Sequence, residues 1–144
     1  MVSRYRQGIL DTNTVILLSR IESPELLPEE PLITSITLAE LTVGPLVAAS
    51  DEERAARQAH LQQAESDFEP LPFDAAAARA FGQVAASLRR SGRKTSARSY
   101  DAMIAAIAIA NGLPVYTSNP AGFGGIIGLE VVTVPVPGHS SSVP

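Results

Sequence analysis

The chain has 144 residues, of which 45% are hydrophobic and 18% are charged, and its formal net charge is -4. These totals fit a globular protein and exclude a wholly disordered chain. Because the chain has no cysteine, disulfide frameworks, thiolate zinc sites and cysteine nucleophiles are also excluded. The negative charge argues against attraction of the whole molecule to nucleic acid, although a local basic patch is compatible with it.

A single domain is predicted over residues 1–134, followed by a disordered tail over 135–144 that is rich in proline and serine. The longest unbroken apolar run, 102–110, has nine residues, whereas a membrane span needs about 20. No apolar segment of signal-peptide length follows the charged residues 1–6. We therefore expect a cytoplasmic protein with no membrane-spanning segment.

The first predicted strand ends in an acid. The apolar run 8–10 is followed by Asp11, Thr12 and Asn13, and then by a helical pattern over 15–18. This order predicts a strand, a turn and a helix, and ligand sites in open α/β sheets lie just beyond the carboxyl ends of the strands. Asp11 is therefore a candidate functional residue, although taken alone it, or Thr12, is more simply explained as a helix cap.

A second strand is predicted over 32–36, after a surface loop over 21–31 that contains three prolines and four glutamates. Thr37 and Glu40 then match the capping-box pattern of a helix start, so Glu40 has a structural explanation of its own. Because it lies one turn into a helix that follows a strand, it is also placed to project over the same sheet edge as Asp11. Gly44-Pro45 is predicted to interrupt this helix.

The middle of the chain is predicted to have a structural role. Residues 51–68 form an outer helix with a narrow apolar stripe, and His60 on it is interpreted as a structural histidine because it has no partner at metal-ligand spacing. Residues 70–73, bracketed by prolines, fit an edge strand. Asp74 then caps an amphipathic helix over 75–91.

A basic segment precedes the most apolar helix. Five of the eleven basic residues lie between positions 89 and 98. The stretch 102–110 is apolar all round and predicts a central buried helix, with Asp101 in its first turn, where a carboxylate is favoured by ~0.3–1 kcal/mol. Further strands are predicted over 113–116, which leads into Thr117 and Asn119, and over 129–134.

The three acids Asp11, Glu40 and Asp101 share one property: each lies just beyond a strand end or in the first turn of a helix. In a parallel sheet with right-handed crossovers these points fall on one edge. Carboxylates that converge there repel one another unless a cation lies among them, and oxygen ligands without sulfur or imidazole favour Mg²⁺ or Mn²⁺. Such an ion activates water and neutralises phosphate, which predicts phosphodiester cleavage without a protein nucleophile. Asn119 could add a neutral oxygen.

Four motifs follow one another along the chain: Leu10-Asp11-Thr12-Asn13, Leu38-Ala39-Glu40-Leu41 with Gly44, Ser99-Tyr100-Asp101-Ala102-Met103-Ile104-Ala105-Ala106, and Tyr116-Thr117-Ser118-Asn119-Pro120 with Phe123. Through their order and spacing, over about residues 8–134, the chain resembles the PIN-domain ribonucleases. Among these it is most similar to the VapC toxins of VapBC toxin-antitoxin pairs.

The resemblance implies an α/β/α sandwich with a central, mostly parallel sheet. It also implies Mg²⁺- or Mn²⁺-dependent cleavage of RNA, a homodimer, and a VapB-type antitoxin that covers the site. By matching position, the catalytic metal ligands would be Asp11, Glu40 and Asp101, supported by Thr12, Asn13, Thr117 and Asn119. If the chain is such a nuclease, the basic residues that immediately precede Asp101 are candidates for binding RNA phosphate: Arg93, Lys94 and Arg98.

One departure from the family pattern leaves two functions open. Most such toxins have an acid where this chain has Gly122, and the loss of that ligand is expected to weaken a second metal position. Because Mg²⁺ needs only one or two carboxylates, three acids can still hold one ion. The alternative to an active toxin is a catalytically weakened PIN domain that acts by binding RNA or its antitoxin. A phosphoacceptor receiver domain fits poorly, because no lysine follows the last strand.

Overall fold

A computed structural model describes residues 5–93 and 98–137 of the chain. Within these ranges four strands and five α-helices are connected by loops and short 3-10 turns. In chain order the elements are β1 (Gln7–Leu10), α1 (Thr12–Ile16), β2 (Glu30–Leu32), α2 (Ser35–Leu46), α3 (Asp51–Asp67), α4 (Ala75–Arg90), α5 (Ser99–Asn111), β3 (Val115–Thr117) and β4 (Val131–Thr133).

The four strands form one sheet in the order β2-β1-β3-β4, and every pairing is parallel. β1 is therefore central, and Ile9 lies opposite Leu32 on one side and Val115 on the other. Because all strands run in the same direction, their carboxyl ends lie along one edge. The parallel sheet predicted from the sequence is confirmed.

Each face of the sheet is covered by its own hydrophobic core. Side chains alternate between the two faces of a strand, so Ile9 and Leu10 enter different cores. The Ile9 core is packed by α4 and α5, whereas the Leu10 core is packed by α1, α2 and α3. The chain thus has the predicted α/β/α layers.

The second strand and the helix after it begin earlier than the sequence analysis predicted. β2 includes Pro31, although the sequence predicts a loop there; an edge strand tolerates proline because one side of its backbone has no ladder partner. Thr34 is the N-cap of α2, and its Oγ1 accepts a hydrogen bond from the Thr37 backbone N–H at 3.3 Å. The capping box at Thr37 and Glu40 was therefore wrong, since Glu40 lies in the second turn. The helix also continues through Pro45, in its last turn, to Leu46.

The outer and the amphipathic helices agree with the sequence analysis. α3 buries only Ala64, as its narrow apolar stripe indicates, and Asp74 caps α4 by accepting a hydrogen bond from the Ala77 backbone N–H at 3.0 Å. The edge strand predicted over 70–73 is reduced to one residue, because only Leu71 forms a parallel bridge there, with Thr34.

The last part of the domain centres on α5, which is buried along most of its length. Gly112 ends this helix in the left-handed conformation, with φ 65°, which glycine adopts without steric cost.

Val136 is also buried, so the folded part reaches beyond the predicted boundary at residue 134. Residues 138–144 of the predicted tail lie outside the described residues. In the described parts of the chain, none of the helices combines the length and apolarity needed to cross a membrane.

Two glycines give opposite predictions for stability. A Cβ added to Gly8 would lie 2.6 Å from Cε1 of Tyr116, a ring buried in the core. We therefore expect Gly8→Ala to lower the free energy of unfolding by ~1–3 kcal/mol.

Gly82 lies inside α4 with nothing within 4 Å of such a Cβ, so Gly82→Ala should raise the free energy of unfolding by ~1 kcal/mol. Urea unfolding measures both; a neutral Gly8→Ala variant would contradict this packing.

Candidate active site

Asp11 lies just beyond the carboxyl end of β1 and is only 5% exposed. It is the N-cap of α1: its Oδ1 accepts hydrogen bonds from the Thr14 backbone N–H at 3.0 Å and the Thr14 hydroxyl at 2.5 Å. Its Oδ2 accepts a bond from the hydroxyl of Thr117, at the end of β3, at 2.6 Å. Asp11 therefore both caps a helix and faces the sheet edge, so the two explanations offered by the sequence are not exclusive.

Glu40 reaches the same edge from α2 and is held by a chain of hydroxyl groups. The Thr12 hydroxyl donates to Glu40 Oε1 at 2.6 Å, and the hydroxyls of Thr12 and Thr37 are 3.0 Å apart. Because Thr12 has a single hydroxyl proton, which goes to Glu40, Thr37 must donate to Thr12. The direction of both hydrogen bonds is therefore set by the carboxylate.

Asp101 lies in the first turn of α5, beside the turn Pro120–Phe123. A Cβ added to Gly122 would lie 2.8 Å from Asp101 Oδ2 and 3.8 Å from Nη1 of Arg98. The carboxylate of Asp101 thus borders the space that a side chain at position 122 would enter. The acid that the family pattern places at position 122 would therefore lie beside Asp101.

The three acids line one cleft of about 290 Å³ at the carboxyl edge of the sheet, together with Thr12, Asn13, Ile16 and Asn119. Burial is the main cause that raises the pKa of all three carboxyl groups. For Asp101, the charges of Asp11 and Glu40 add to the effect and Arg98 opposes it, with a resulting pKa of about 6. Because the three carboxylates line one cleft, they repel one another when ionised.

The chemistry of the donors fits a hard divalent cation, because carboxylates line the cleft and neither histidine nor cysteine does. A cation would also relieve the repulsion between the acids. As the side chains stand, however, no three acidic or histidine groups in the described residues are drawn together tightly enough to hold one ion. A shared ion would therefore require the carboxylates to turn towards the centre of the cleft.

The remaining predicted residues fall into two groups. Asn13 and Asn119 line the cleft and are exposed, and the Asn119 backbone N–H donates to the Thr117 hydroxyl at 3.0 Å.

Among the basic residues, Arg93 donates from Nη1 to the carbonyl oxygen of Ala121 at 2.8 Å, and so contacts the turn beside Asp101. Arg98 lies next to Asp101, as described above, and Lys94 lies outside the described residues.

Sequence analysis missed two buried hydroxyl groups at this site, those of Thr14 and Thr37. Both are fully buried, and both act through another residue: Thr14 on Asp11, and Thr37 on Thr12. Thr14 follows Asp11 at the spacing at which an N-cap side chain meets the helix, and this spacing was the available signal. Nothing local in the sequence indicates the contact of Thr37, because its partner is 25 residues away.

The family model that matches the chain is that of the PIN domain, over residues 9–123. This range is most of the chain and includes all three acids. The chain belongs to the PIN-domain family. Its fold, predicted by resemblance, is confirmed.

Related PIN domains come from Mycobacterium tuberculosis. Ribonuclease VapC5 is 38% identical over 131 residues, which cover 88% of this chain and 95% of the relative. Ribonuclease VapC4 is 30% identical over 131 residues, with coverage of 90% and 98%. Among solved structures, VapBC-5, a member of the VapBC family of toxin-antitoxin systems from the same organism, has a TM-score of 0.74 and 36% identity, and covers 90% of this chain and 99% of its own.

The raised pKa of Asp101 predicts how the stability of this PIN domain depends on pH. A carboxyl group with a higher pKa in the folded state lowers the free energy of unfolding as it ionises. The loss develops between the ordinary pKa of 3.8 and about 6. In chelator, Asp101→Asn should therefore have a higher Tm than the unmodified protein above pH 6, and this advantage should disappear below pH 3.8.

Thermal melts across this pH range test the prediction, with Glu65→Gln on the exposed face of α3 as the matched control. The control should leave Tm unchanged at every pH. A difference for Asp101→Asn that is equal at both ends of the range would show that charge is not its cause.

Proposed function

We propose that this PIN domain is the toxin of a type II toxin-antitoxin system, an endoribonuclease that hydrolyses RNA phosphodiesters with the help of Mg²⁺ or Mn²⁺. The observation that carries the proposal is that Asp11, Glu40 and Asp101 line one cleft at the carboxyl edge of the sheet. The names of the relatives, ribonucleases VapC5 and VapC4, support the same activity. PIN ribonucleases generally use a divalent metal ion.

In this proposal the carboxylates of Asp11, Glu40 and Asp101 would hold the metal ion, and such an ion would supply charge neutralisation at the phosphodiester and activation of water. Thr14 and Thr117 hold Asp11 in place, and Thr12 orients Glu40. Hydroxyl donors favour the charged form of a carboxylate, so they oppose, without cancelling, the rise that burial causes in the pKa of Asp11 and Glu40.

The proposed toxin function also implies two partners, an RNA substrate and an antitoxin. The RNA backbone would enter beside Arg98, whose guanidinium group lies near Asp101, and Arg93 and Lys94 are the other candidates for binding RNA phosphate. A VapB-type antitoxin would cover the cleft, as expected for a VapBC pair. The homodimer and the cytoplasmic location predicted from the sequence stay predictions.

The assignment of Asp11 is tested by Asp11→Asn. Asparagine is also a good N-cap, so the helix should be retained while the charge is lost. We expect cleavage of single-stranded RNA in Mg²⁺ to fall by at least about 100-fold, since a metal ion contributes several kcal/mol to the stabilisation of transition-state charge. The initial rate of cleavage of a labelled RNA gives the measurement.

Glu52→Gln is the control for this experiment, because Glu52 is exposed on α3 and lies outside the cleft. It should cleave at the unmodified rate. If Asp11→Asn has a normal Tm and cleaves RNA undiminished, the role given to Asp11 is wrong.

The alternative, a catalytically weakened PIN domain, is favoured by Gly122, because a side chain at this position would enter the surroundings of Asp101. If the missing acid weakens metal binding, Gly122→Asp should lower the Mn²⁺ concentration needed for half-maximal cleavage by roughly tenfold or more. Gly122→Ala is the control for displacement of Asp101 by the added Cβ. An equal Mn²⁺ requirement in all three proteins would show that the missing acid has no effect on metal binding.

A further inference from the structure

A second pocket of about 250 Å³ adjoins the acidic cleft. The two share the walls formed by Thr12, Ile16 and Glu40. We call this second space the side pocket; its far walls are formed by Leu41, Arg57 and His60. A ligand that reaches the acids can therefore extend into the side pocket without leaving the protein surface.

The cation in the side pocket is already paired. Arg57 donates from Nη2 to the carboxylate of Glu53 and from Nη1 to the carbonyl oxygen of Gly44 at 2.9 Å. Gly44 permits this approach, because a Cβ there would lie 3.2 Å from Cδ of Arg57. Two of the five guanidinium N–H donors are therefore used, and the positive charge is compensated by Glu53.

The charges on the walls of the side pocket decide whether it can accept a phosphate group or a base of an RNA chain. A phosphate group in the side pocket would meet the carboxylate of Glu40 on one wall and a neutralised cation on the other, so Coulomb energy does not favour it there. A neutral planar group is compatible with both walls. Ile16 and Leu41 offer apolar surface, while His60 and the free donors of Arg57 offer a ring and hydrogen bonds.

We propose that the side pocket receives one nucleobase of the RNA substrate, next to the phosphodiester that is cut. His60 is the residue that contacts this base and contributes to sequence preference. The inference rests on the proposed ribonuclease function and adds a substrate subsite to it. It also gives His60, interpreted from the sequence as structural, a position at the active site.

The test compares His60→Ala with His60→Phe, which keeps a flat ring and loses the ring nitrogens. Gln62→Ala is the matched control, because Gln62 is exposed on the same helix and lines neither the cleft nor the side pocket. The probe is a fluorescein-labelled single-stranded RNA of randomised sequence. KM and kcat are measured in Mn²⁺, the cut ends are sequenced, and binding is measured by fluorescence anisotropy in chelator.

Loss of a stacked base weakens binding by about fivefold to a hundredfold. We therefore expect His60→Ala to raise KM and the anisotropy Kd within that range, to leave kcat nearly unchanged, and to flatten the base preference at one position beside the cut. His60→Phe should keep most of the affinity and alter the preference. Gln62→Ala should match the unmodified protein in all readouts.

An unchanged KM, Kd and base preference in folded His60→Ala would overturn the inference. So would loss of affinity for the co-expressed antitoxin with RNA binding and cleavage intact, since the side pocket would then belong to the antitoxin. If the unmodified protein cleaves no RNA, the proposed function fails. The anisotropy comparison in chelator still tests the subsite in that case, and an equal Kd for His60→Ala and the unmodified protein overturns it separately.

Discussion

The hydrogen bonds around the buried carboxylate of Asp11 are the constraint on which the rest of the site depends. An ionised carboxylate this far from water is costly unless it is hydrogen-bonded, and its donors come from α1 and from β3. Thr117 can reach Asp11 only because β3 lies directly beside β1 in the sheet. The hydrogen bonding of Asp11 therefore depends on the strand order, because a different strand beside β1 would not bring the Thr117 hydroxyl to its carboxylate.

The two other acids add further charge at a cost to stability, a cost that Asp11 shares because burial raises its pKa in spite of its hydrogen bonds. Glu40 and Asp101 are half-buried beside Asp11, and each raises the energy of the others in the absence of a cation. Sites of this kind commonly exchange stability for function. A ligand that binds only the folded state adds stability that grows with the logarithm of its concentration above Kd, so a divalent ion held among these acids would stabilise the fold.

Most of the fold was predictable from local patterns, and the errors have physical causes. β1, α4 and α5 follow from apolar runs and helical periodicity, and the common edge of the acids follows from parallel topology. β2 was misplaced because Pro31 indicates a loop unless the strand is known to be at an edge. The start of α2 was misplaced because Thr34 and Thr37 are both suited to the N-cap, and only the tertiary structure selects the cap. The contact of Arg93 with a backbone carbonyl is tertiary and leaves no local pattern.

The approach of Asp101 to Gly122 couples these two positions sterically. Because any Cβ at residue 122 would come within 2.8 Å of Asp101 Oδ2, the side-chain orientation at one position depends on the residue at the other. The effect of a substitution at residue 122 therefore depends on whether Asp101 has room to turn, which is epistasis of purely steric origin. A side chain added at residue 122 must therefore displace an acid of the cleft before it can contribute a group of its own.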